Sequence, residues 1–544
     1  MELKITEFKE LLQQHGMSQE FSLAVMNEVR KIPDRIPEEE LKRRRDLSKL
    51  TIVTIDGADA KDLDDAISLE RLKNKRYRLG VHIADVSYYV RENSELDREA
   101  FARGTSVYLV DEVVPMLPEK LSNGLCSLNP YKPRLTLSCF MEIDMNGGIL
   151  EYSIEETFIK TVARMTYAEV GQILGGDMAA RSKNENMLPF FELMRELALI
   201  LRDKRSRRGS IDFDFPEPKI ITDENGTAID VRIAENTMAN KLIEEFMLAA
   251  NETVARHMER LELPLIYRVH EPPSEEKLER FVSLIRNMNY KFKAKNTVSP
   301  KAMQNLLFEI KNTPQQQLVG TMILRSLMKA RYSGENLGHF GLAAEHYCHF
   351  TSPIRRYPDL MVHRILHEWL QGSLDENRIK HYNKIVSKAA QQSSDTETTA
   401  IEAEREWNAY KICEYMESMV GGVFDGFISS VTSFGLFIQL PNSVEGLVRM
   451  VDLDDDYYEF DETSMILFGR RSGRQYHMSD SMRVRLAKVN KELKQIDFVP
   501  VEPERKTETG KTRKKEVKNS DGGKSKKAAK SKGVQRRRKA RRPK

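Results

Sequence analysis

The stretch LTIVTIDGADAKDLDDAISLERL, Leu50 to Leu72, constrains this chain most. Five aspartates, Asp56, Asp59, Asp62, Asp64 and Asp65, sit between two apolar runs. Short apolar runs rich in β-branched residues predict strands. The polar turn at Lys73 to Lys75, followed by YRLGVHI, predicts a hairpin. Carboxylates crowded at a strand end and a hairpin mouth repel one another, and each pKa rises unless a cation stands among them. The spacing D-x5-D-x-D-D of Asp56, Asp62, Asp64 and Asp65 suits Mg²⁺, a hard cation that shares a few carboxylates with waters and a substrate phosphate. Two such ions about 4 Å apart can hold both the attacking and the leaving oxygen of a phosphodiester. Neighbouring Cys or His ligands, which zinc would favour, are absent from the motif. An EF-hand fails, because Ala58 and Ala60 occupy its third and fifth positions. A phosphatase-type D-x-D fails too, because GADAK before Asp62 is no strand. A solvated acidic loop would account for the charges but not for their place between two strands.

With 544 residues and 40% hydrophobic content, the chain can build a large core and more than one domain. Its four cysteines, Cys126, Cys139, Cys348 and Cys413, are scattered without any C-x-x-C pair, so neither a disulfide framework nor a thiolate zinc site is suggested and a reducing compartment fits. MELKITEFKE has no signal-peptide core and no later stretch has the length of a membrane span, so a cytoplasmic protein without membrane association is expected. The net charge of +4 hides a polarity. Val501 to Lys544 carry nineteen Lys/Arg against five acids, and the remainder has a net charge of −10. That Lys/Arg/Gly/Ser-rich segment cannot bury enough apolar surface to offset its ordering entropy, so a disordered basic tail at 501–544 is expected, suited to a polyanion.

The pattern between these landmarks predicts an α+β chain. A second hairpin is expected at Asn146 and Gly147. Leu242, Phe246, Ala249, Ala250 and Val254 mark a buried helix face within Thr237 to Leu261. A last helix, Asp395 to about Val420, carries the stripe Ala403, Trp407, Tyr410, Cys413 and Met416. Beyond it, GGVFDGFISSVTSFGLFIQL, EGLVRM and MRVRLAKVN read as strands of a small five-stranded OB-type barrel, with Val423, Phe427 and Val431 on one face and a bend or close approach at Gly435. The order G-x-V, F-G-x-F-I, E-G-L-V resembles the S1-type OB fold, an RNA-binding module. That resemblance implies that Phe434, Phe437 and Arg449 face nucleic acid, where stacking on a ring is worth roughly 1–3 kcal/mol per base.

TIDGADAKDLDDA, VHIADVSYYV, VVPMLPEKLSNGLCSLNP, IEEFMLAANE and HFTSPIRRYPDLMVHR, in this order, closely resemble the catalytic domain of the RNase II/RNase R (RNB) family of 3′-to-5′ exoribonucleases. The basic tail places the chain nearer the RNase R branch. The resemblance implies that Asp56, Asp62, Asp64 and Asp65 hold Mg²⁺ at the scissile phosphate, with Asp64 tied most directly to the chemistry and Asp59 a bystander. It implies that Arg355, with Arg356 beside it, meets the phosphates, a task suited to the guanidinium fork. Tyr108 and Phe213 then clamp the terminal nucleotides, with Phe215 as an alternative to Phe213, and Glu404 lies near the active site. His346 and His349 look metal-like at i, i+3 but have no third ligand nearby and are read as structural. The implied activity is processive, Mg²⁺-dependent hydrolysis of single-stranded RNA to nucleoside 5′-monophosphates by a monomer, with the ribosome or RNA-decay factors as further partners of the tail.

The expected organisation is a helical linker at 1–47, an RNB-type catalytic domain at 48–394, a connecting helix at 395–419, the OB barrel at 420–500 and the tail at 501–544. Family members carry two cold-shock-type OB domains ahead of the catalytic domain, whereas this sequence has about 45 residues there. The alternative expectation is a catalytically weak RNA-binding adaptor or a fragment of a larger enzyme.

Overall fold

The structure, a computed structural model, describes residues 2–501 apart from 213–216, 289, 293–296, 314–315 and 463, and the side chains of 2–6, 287 and 317 lie outside the description too. The basic tail beyond 501, Phe213 and Phe215 therefore fall outside the described residues.

A mixed seven-stranded sheet carries the aspartates. Its strands are β1 (Arg45–Asp46), β2 (Val53–Asp56), β3 (Asp65–Arg71), β4 (Tyr77–Ala84), β7 (Arg134–Ile143), β8 (Ile149–Ile159) and β9 (Ala163–Thr166), while β5 (Val107–Leu109) and β6 (Glu112–Val114) form a separate hairpin. The order is β1-β8-β7-β4-β3-β2-β9, antiparallel in the middle, with β1 parallel to β8 and β2 parallel to β9. Both expected hairpins form, β3 to β4 through Lys75 at φ 64° and β7 to β8 through Gly147 at φ 81°. Near-continuous burial along β4 reflects cover on both faces. The helix Met238–Arg260, opened by a Thr237/Asn240 capping box, buries Leu242, Phe246, Ala250 and Val254 as its periodicity predicts. The helix Tyr357–Leu370 is buried over its first eleven residues.

The last helix corrects the sequence reading at its start. It runs unbroken from Glu376 to Glu417, capped by Asp375. Its first half buries Tyr382, Val386, Ala389, Ala390 and Ser393, and the QQSSDTETT stretch hides this face because small and polar residues give no apolar period. The second half buries the expected stripe from Ala403 to Met416.

The closed five-stranded barrel is built from residues 423–432, 435–439, 445–449, 481–490 and 495–500. Its core is Ile428, Val431, Leu436, Ile438, Val448, Val484, Leu486 and Phe498, joined by Cys413 and Met416 of the long helix and by Val231. The barrel therefore shares apolar packing with its approach helix. Of the expected face, Val423 is exposed and Phe427 half-buried, because a register shift between Ile428 and Ser430 resets the alternation. A three-stranded sheet, 458–461, 466–469 and 475–476, interrupts the barrel sequence and was not expected. All four cysteines are free and buried.

Gly435 bears out the expected close approach. It holds φ +153°, and a Cβ there would stand 2.2 Å from the Val448 carbonyl oxygen. Gly435→Ala is therefore expected to destabilise the barrel by about 1–3 kcal/mol, read as a lower urea midpoint for loss of barrel structure.

Candidate active site

Asp56 ends β2 and Asp65 begins β3, so the loop between them decides where the other carboxylates go. That loop is pinned by its backbone. The Leu63 amide donates to Ser127 Oγ at 3.1 Å, Ser127 Oγ donates to the Lys61 carbonyl at 2.7 Å, and the Leu128 amide donates to the Leu63 carbonyl at 3.0 Å. Arg164 ties down the carbonyls of Ala58 and Ala60 at 3.0 and 2.6 Å. The turn is thereby fixed with Asp64 pointing inward, 4% exposed, and Asp59 pointing outward.

Asp64 Oδ1 accepts from the Ile354 amide at 2.8 Å, and Asp64 Oδ2 lies 3.7 Å from Arg355 Nε. Asp62 Oδ2 accepts from the Tyr108 hydroxyl at 2.5 Å. One oxygen each of Asp56, Asp64 and Asp65 is buried without a hydrogen-bond partner. The electrostatics follow from that burial. Desolvation pushes Asp56 up to about 8, with the Asp65 charge adding to it and Arg164 opposing. Desolvation likewise raises Asp65 to about 6 against Arg355 and Arg356, and raises Asp64 well above the usual carboxylate range against Arg355 and the Ile354 amide.

Three orphaned, desolvated carboxylate oxygens are the donor set of a hard cation. Among the described residues no three His, Cys, Asp or Glu groups close into an all-protein metal cage. Magnesium does not ask for one, since it keeps several waters and takes one or two carboxylates plus substrate phosphate. The residues present fit that open mode of binding.

Arg355 reaches the aspartates because its backbone is stitched to the segment ahead of Tyr108. The Ser106 amide and Thr105 Oγ1 donate to the Arg355 carbonyl at 2.9 and 3.1 Å, and the Tyr357 amide donates to the Gly104 carbonyl at 2.9 Å. The Arg355 side chain donates to Ser352 Oγ at 3.1 Å and stays 41% exposed, so much of its donor fork is open. Arg356 differs. Its guanidinium makes paired bonds of 2.9 and 2.8 Å to the fully buried Asp359, which also accepts from the Ser352 amide at 2.7 Å. Taking Arg356 onto a ligand would strand a buried carboxylate, so its place here is to hold the TSPIRR turn.

Tyr108 sits mid-strand in β5, 40% exposed, with its hydroxyl pKa raised by burial and by the Asp62 charge. Tyr167 was not anticipated. It follows Thr166, which pairs with Asp56 across β9 and β2, and burial plus the charges of Asp65 and Asp56 raise its hydroxyl pKa. Only a parallel pairing of distant strands brings it there, which no local pattern signals.

Glu404 is exposed, and the charges acting on it are those of Glu217 and Arg405. The structure does not join it to the aspartates. Two turns earlier on the same helix, Glu397 accepts from Arg268 at 2.6 Å, and both lie with Arg356 and Asp359 in the field around buried Tyr332. His346 and His349 bond Asn336 and Tyr332, each at 2.9 Å, as structural histidines do. On the barrel, Phe434 is 56% exposed and meets the half-buried Phe437 edge-on at 5.9 Å. Arg449 donates to Asp497 at 2.5 Å and keeps half its side-chain surface. Phe437 also lines a cleft of ≈ 1490 Å³ whose other wall includes Phe308 and Arg325.

The sheet with its buried aspartates and the barrel that follows define the class. The chain belongs to the RNB domain family, matching the RNB domain over residues 44–372 and the S1 RNA binding domain over residues 417–499. It is similar to Ribonuclease R 1 of Lactococcus lactis, 46% identical over 490 residues that cover 90% of this chain and 60% of that protein. Ribonuclease R of Thermotoga maritima is 45% identical over 490 residues, covering 89% of this chain and 68% of the relative. Mycoplasma genitalium RNase R, solved in complex with ribose methylated single-stranded RNA, has the same fold with a TM-score of 0.85 at 32% identity, over 91% of this chain and 78% of that one. The chain spans three fifths of the length of its Lactococcus relative.

Carboxyls whose pKa is raised by folding stabilise the protein fully below about pH 4 and lose that contribution as pH climbs through the folded values. Without divalent ions, the urea midpoint is expected to fall as pH rises from about 4, with the Asp65 contribution lost by about pH 6 and that of Asp56 by about pH 8. Added Mg²⁺ is expected to restore the midpoint and to release protons, measured by calorimetry in buffers of different ionisation enthalpy.

Proposed function

We propose that this chain is a 3′-to-5′ exoribonuclease that hydrolyses single-stranded RNA processively to nucleoside 5′-monophosphates. The observation that carries the reading is the set of three buried, unpartnered carboxylate oxygens beside an open arginine fork and a half-exposed tyrosine ring. Family membership and the RNA bound to the Mycoplasma protein of the same fold support the substrate class.

Each residue has a task in this reading. Asp56, Asp62, Asp64 and Asp65 would hold Mg²⁺, which when bound would activate water at neutral pH and offset phosphate charge. Arg355 donates to the non-bridging oxygens of the last phosphodiester, where negative charge grows in the transition state. The Tyr108 ring stacks the terminal base while its hydroxyl keeps Asp62 oriented. Asp64, held by the Ile354 amide, keeps its Oδ2 free of hydrogen bonds and 3.7 Å from Arg355 Nε, so that carboxylate and guanidinium face the same phosphate. Phe213 completes the stack at the far end. Phe434, Phe437 and Arg449 grip RNA further from the cut, and the tail adds phosphate attraction and reaches the ribosome or RNA-decay factors. Among the described residues no helix is long and apolar enough to cross a membrane. With four free cysteines, we place the protein in the cytoplasm, acting as a monomer.

Two measurements check this. With 3′-labelled single-stranded RNA, wild type should release mononucleotides in Mg²⁺ and not in chelator. Asp64→Asn should bind RNA yet release none, and Arg355→Ala should slow release on the order of 10²–10³-fold. RNA binding with no release from any version would instead favour an adaptor. Removing Lys506–Lys544 should weaken binding and flatten the slope of affinity against salt, and an unchanged slope would count against the tail's role.

A further inference from the structure

The hairpin that bears Tyr108 is poorly equipped to stand alone. Its two strands are three residues each, Val107–Leu109 and Glu112–Val114, joined through Val110 at φ +54°. A two-stranded ribbon of this size is marginal in water. A β-branched residue in the left-handed region is strained unless its surroundings impose the conformation. Something must hold this hairpin, and the structure shows what does.

Alternation along β5 puts Val107 and Leu109 on the face opposite Tyr108, and both are buried, as is Val114. They do not pack into the catalytic core. They form a separate apolar cluster with Leu11 and Leu12 of the N-terminal helix Glu2–Gln14 and with Ala400, Ala403, Trp407 and Tyr410 of the long helix. Phe8, Met17 and the strained Val110 pack against this cluster, and Phe8 meets Trp407 edge-on at 5.1 Å. The segment after the helix is tied to the hairpin by polar bonds. Gln19 Nε2 donates to Glu112 Oε2 at 3.1 Å and to the Val113 carbonyl at 3.3 Å, and Val113 is the residue paired with Tyr108. Arg103 donates to the carbonyls of Ser18, Glu20 and Pro115 at 2.7, 2.7 and 2.9 Å, joining both chain segments at the hairpin's base.

We propose that residues 7–21, which precede the matched RNB domain, are a positioning element of the active site. They press the β5–β6 hairpin against the long helix, so that the Tyr108 ring faces outward and its hydroxyl stays on Asp62. The segment is thus no spacer. It sets the grip on the terminal nucleotide and the orientation of one metal-binding carboxylate, without touching either. This inference rests on the exonuclease reading for its kinetic consequence, but not for its structural one.

The experiment uses the full chain with Leu12→Ala and, as a surface substitution that leaves the apolar cluster intact, Gln19→Ala. Hydrogen exchange should speed up tenfold or more within 107–114 in Leu12→Ala and by a smaller factor in Gln19→Ala, with β3 and β4 unchanged. On short 3′-labelled RNA, kcat/KM should fall about five- to tenfold for each variant, but less than twofold when the same change is made in a Tyr108→Ala background. Equal falls in both backgrounds would show a merely structural role and overturn the proposal. Unchanged exchange in 107–114 would overturn it as well. If wild type proves inactive, the exonuclease reading fails while the exchange result still decides this one.

Discussion

Gathering four carboxylates in one place, three of them with a buried oxygen that no hydrogen bond reaches, is the constraint around which the rest is arranged. Like charges removed from water are unfavourable on two counts, desolvation and mutual repulsion, and the fold relieves neither with full hydrogen bonding. Asp64 receives one backbone amide, Asp62 one phenolic hydroxyl, and three oxygens are left bare. A structural acidic loop would turn those groups to solvent, as Asp59 is turned. Here Ser127, Arg164 and the β4 edge hold the turn inward, with the Ala84 amide on the Asp64 carbonyl at 2.9 Å. Those unpartnered oxygens are what gives the proposed cation its purchase, since a positive charge among them would offset both costs.

That site is assembled from chain segments far apart in sequence. Residues 56–65 supply the carboxylates, 104–108 the ring, 164–167 a second tyrosine, and 351–359 the guanidinium. Backbone pairing does the joining. Thr105 bridges Arg356, and β9 bridges β2, so side chains are placed by the least flexible part of the chain. The buried Arg356–Asp359 pair then fixes the turn that aims Arg355. The N-terminal segment performs the same service for Tyr108, which brings an element outside the matched domain into the working unit.

Much of this was legible in the sequence. The aspartate spacing, both hairpins, the helix over Met238–Arg260 and the barrel follow from local periodicity and turn residues. What was not legible depended on pairing across distance. Glu397 and Glu404 lie seven positions apart on one helix face, so periodicity cannot tell which of them joins the Arg356 network. Two adjacent arginines in TSPIRR look equivalent until Asp359 is seen to claim one. Phe427 does not share a face with Val431 because a bulge between Ile428 and Ser430 breaks the alternation between them, and Tyr167 escapes local patterns because only the parallel β2–β9 contact brings it to the site.

The central claim is that these carboxylates hold a divalent ion directly against the terminal phosphodiester. It is tested most directly by replacing a non-bridging oxygen of that linkage with sulfur and comparing Mg²⁺ with the more thiophilic Mn²⁺. Release of the last nucleotide should slow markedly in Mg²⁺ for one sulfur stereoisomer and recover in Mn²⁺. Equal slowing in both ions, or release that persists in chelator, would contradict the account.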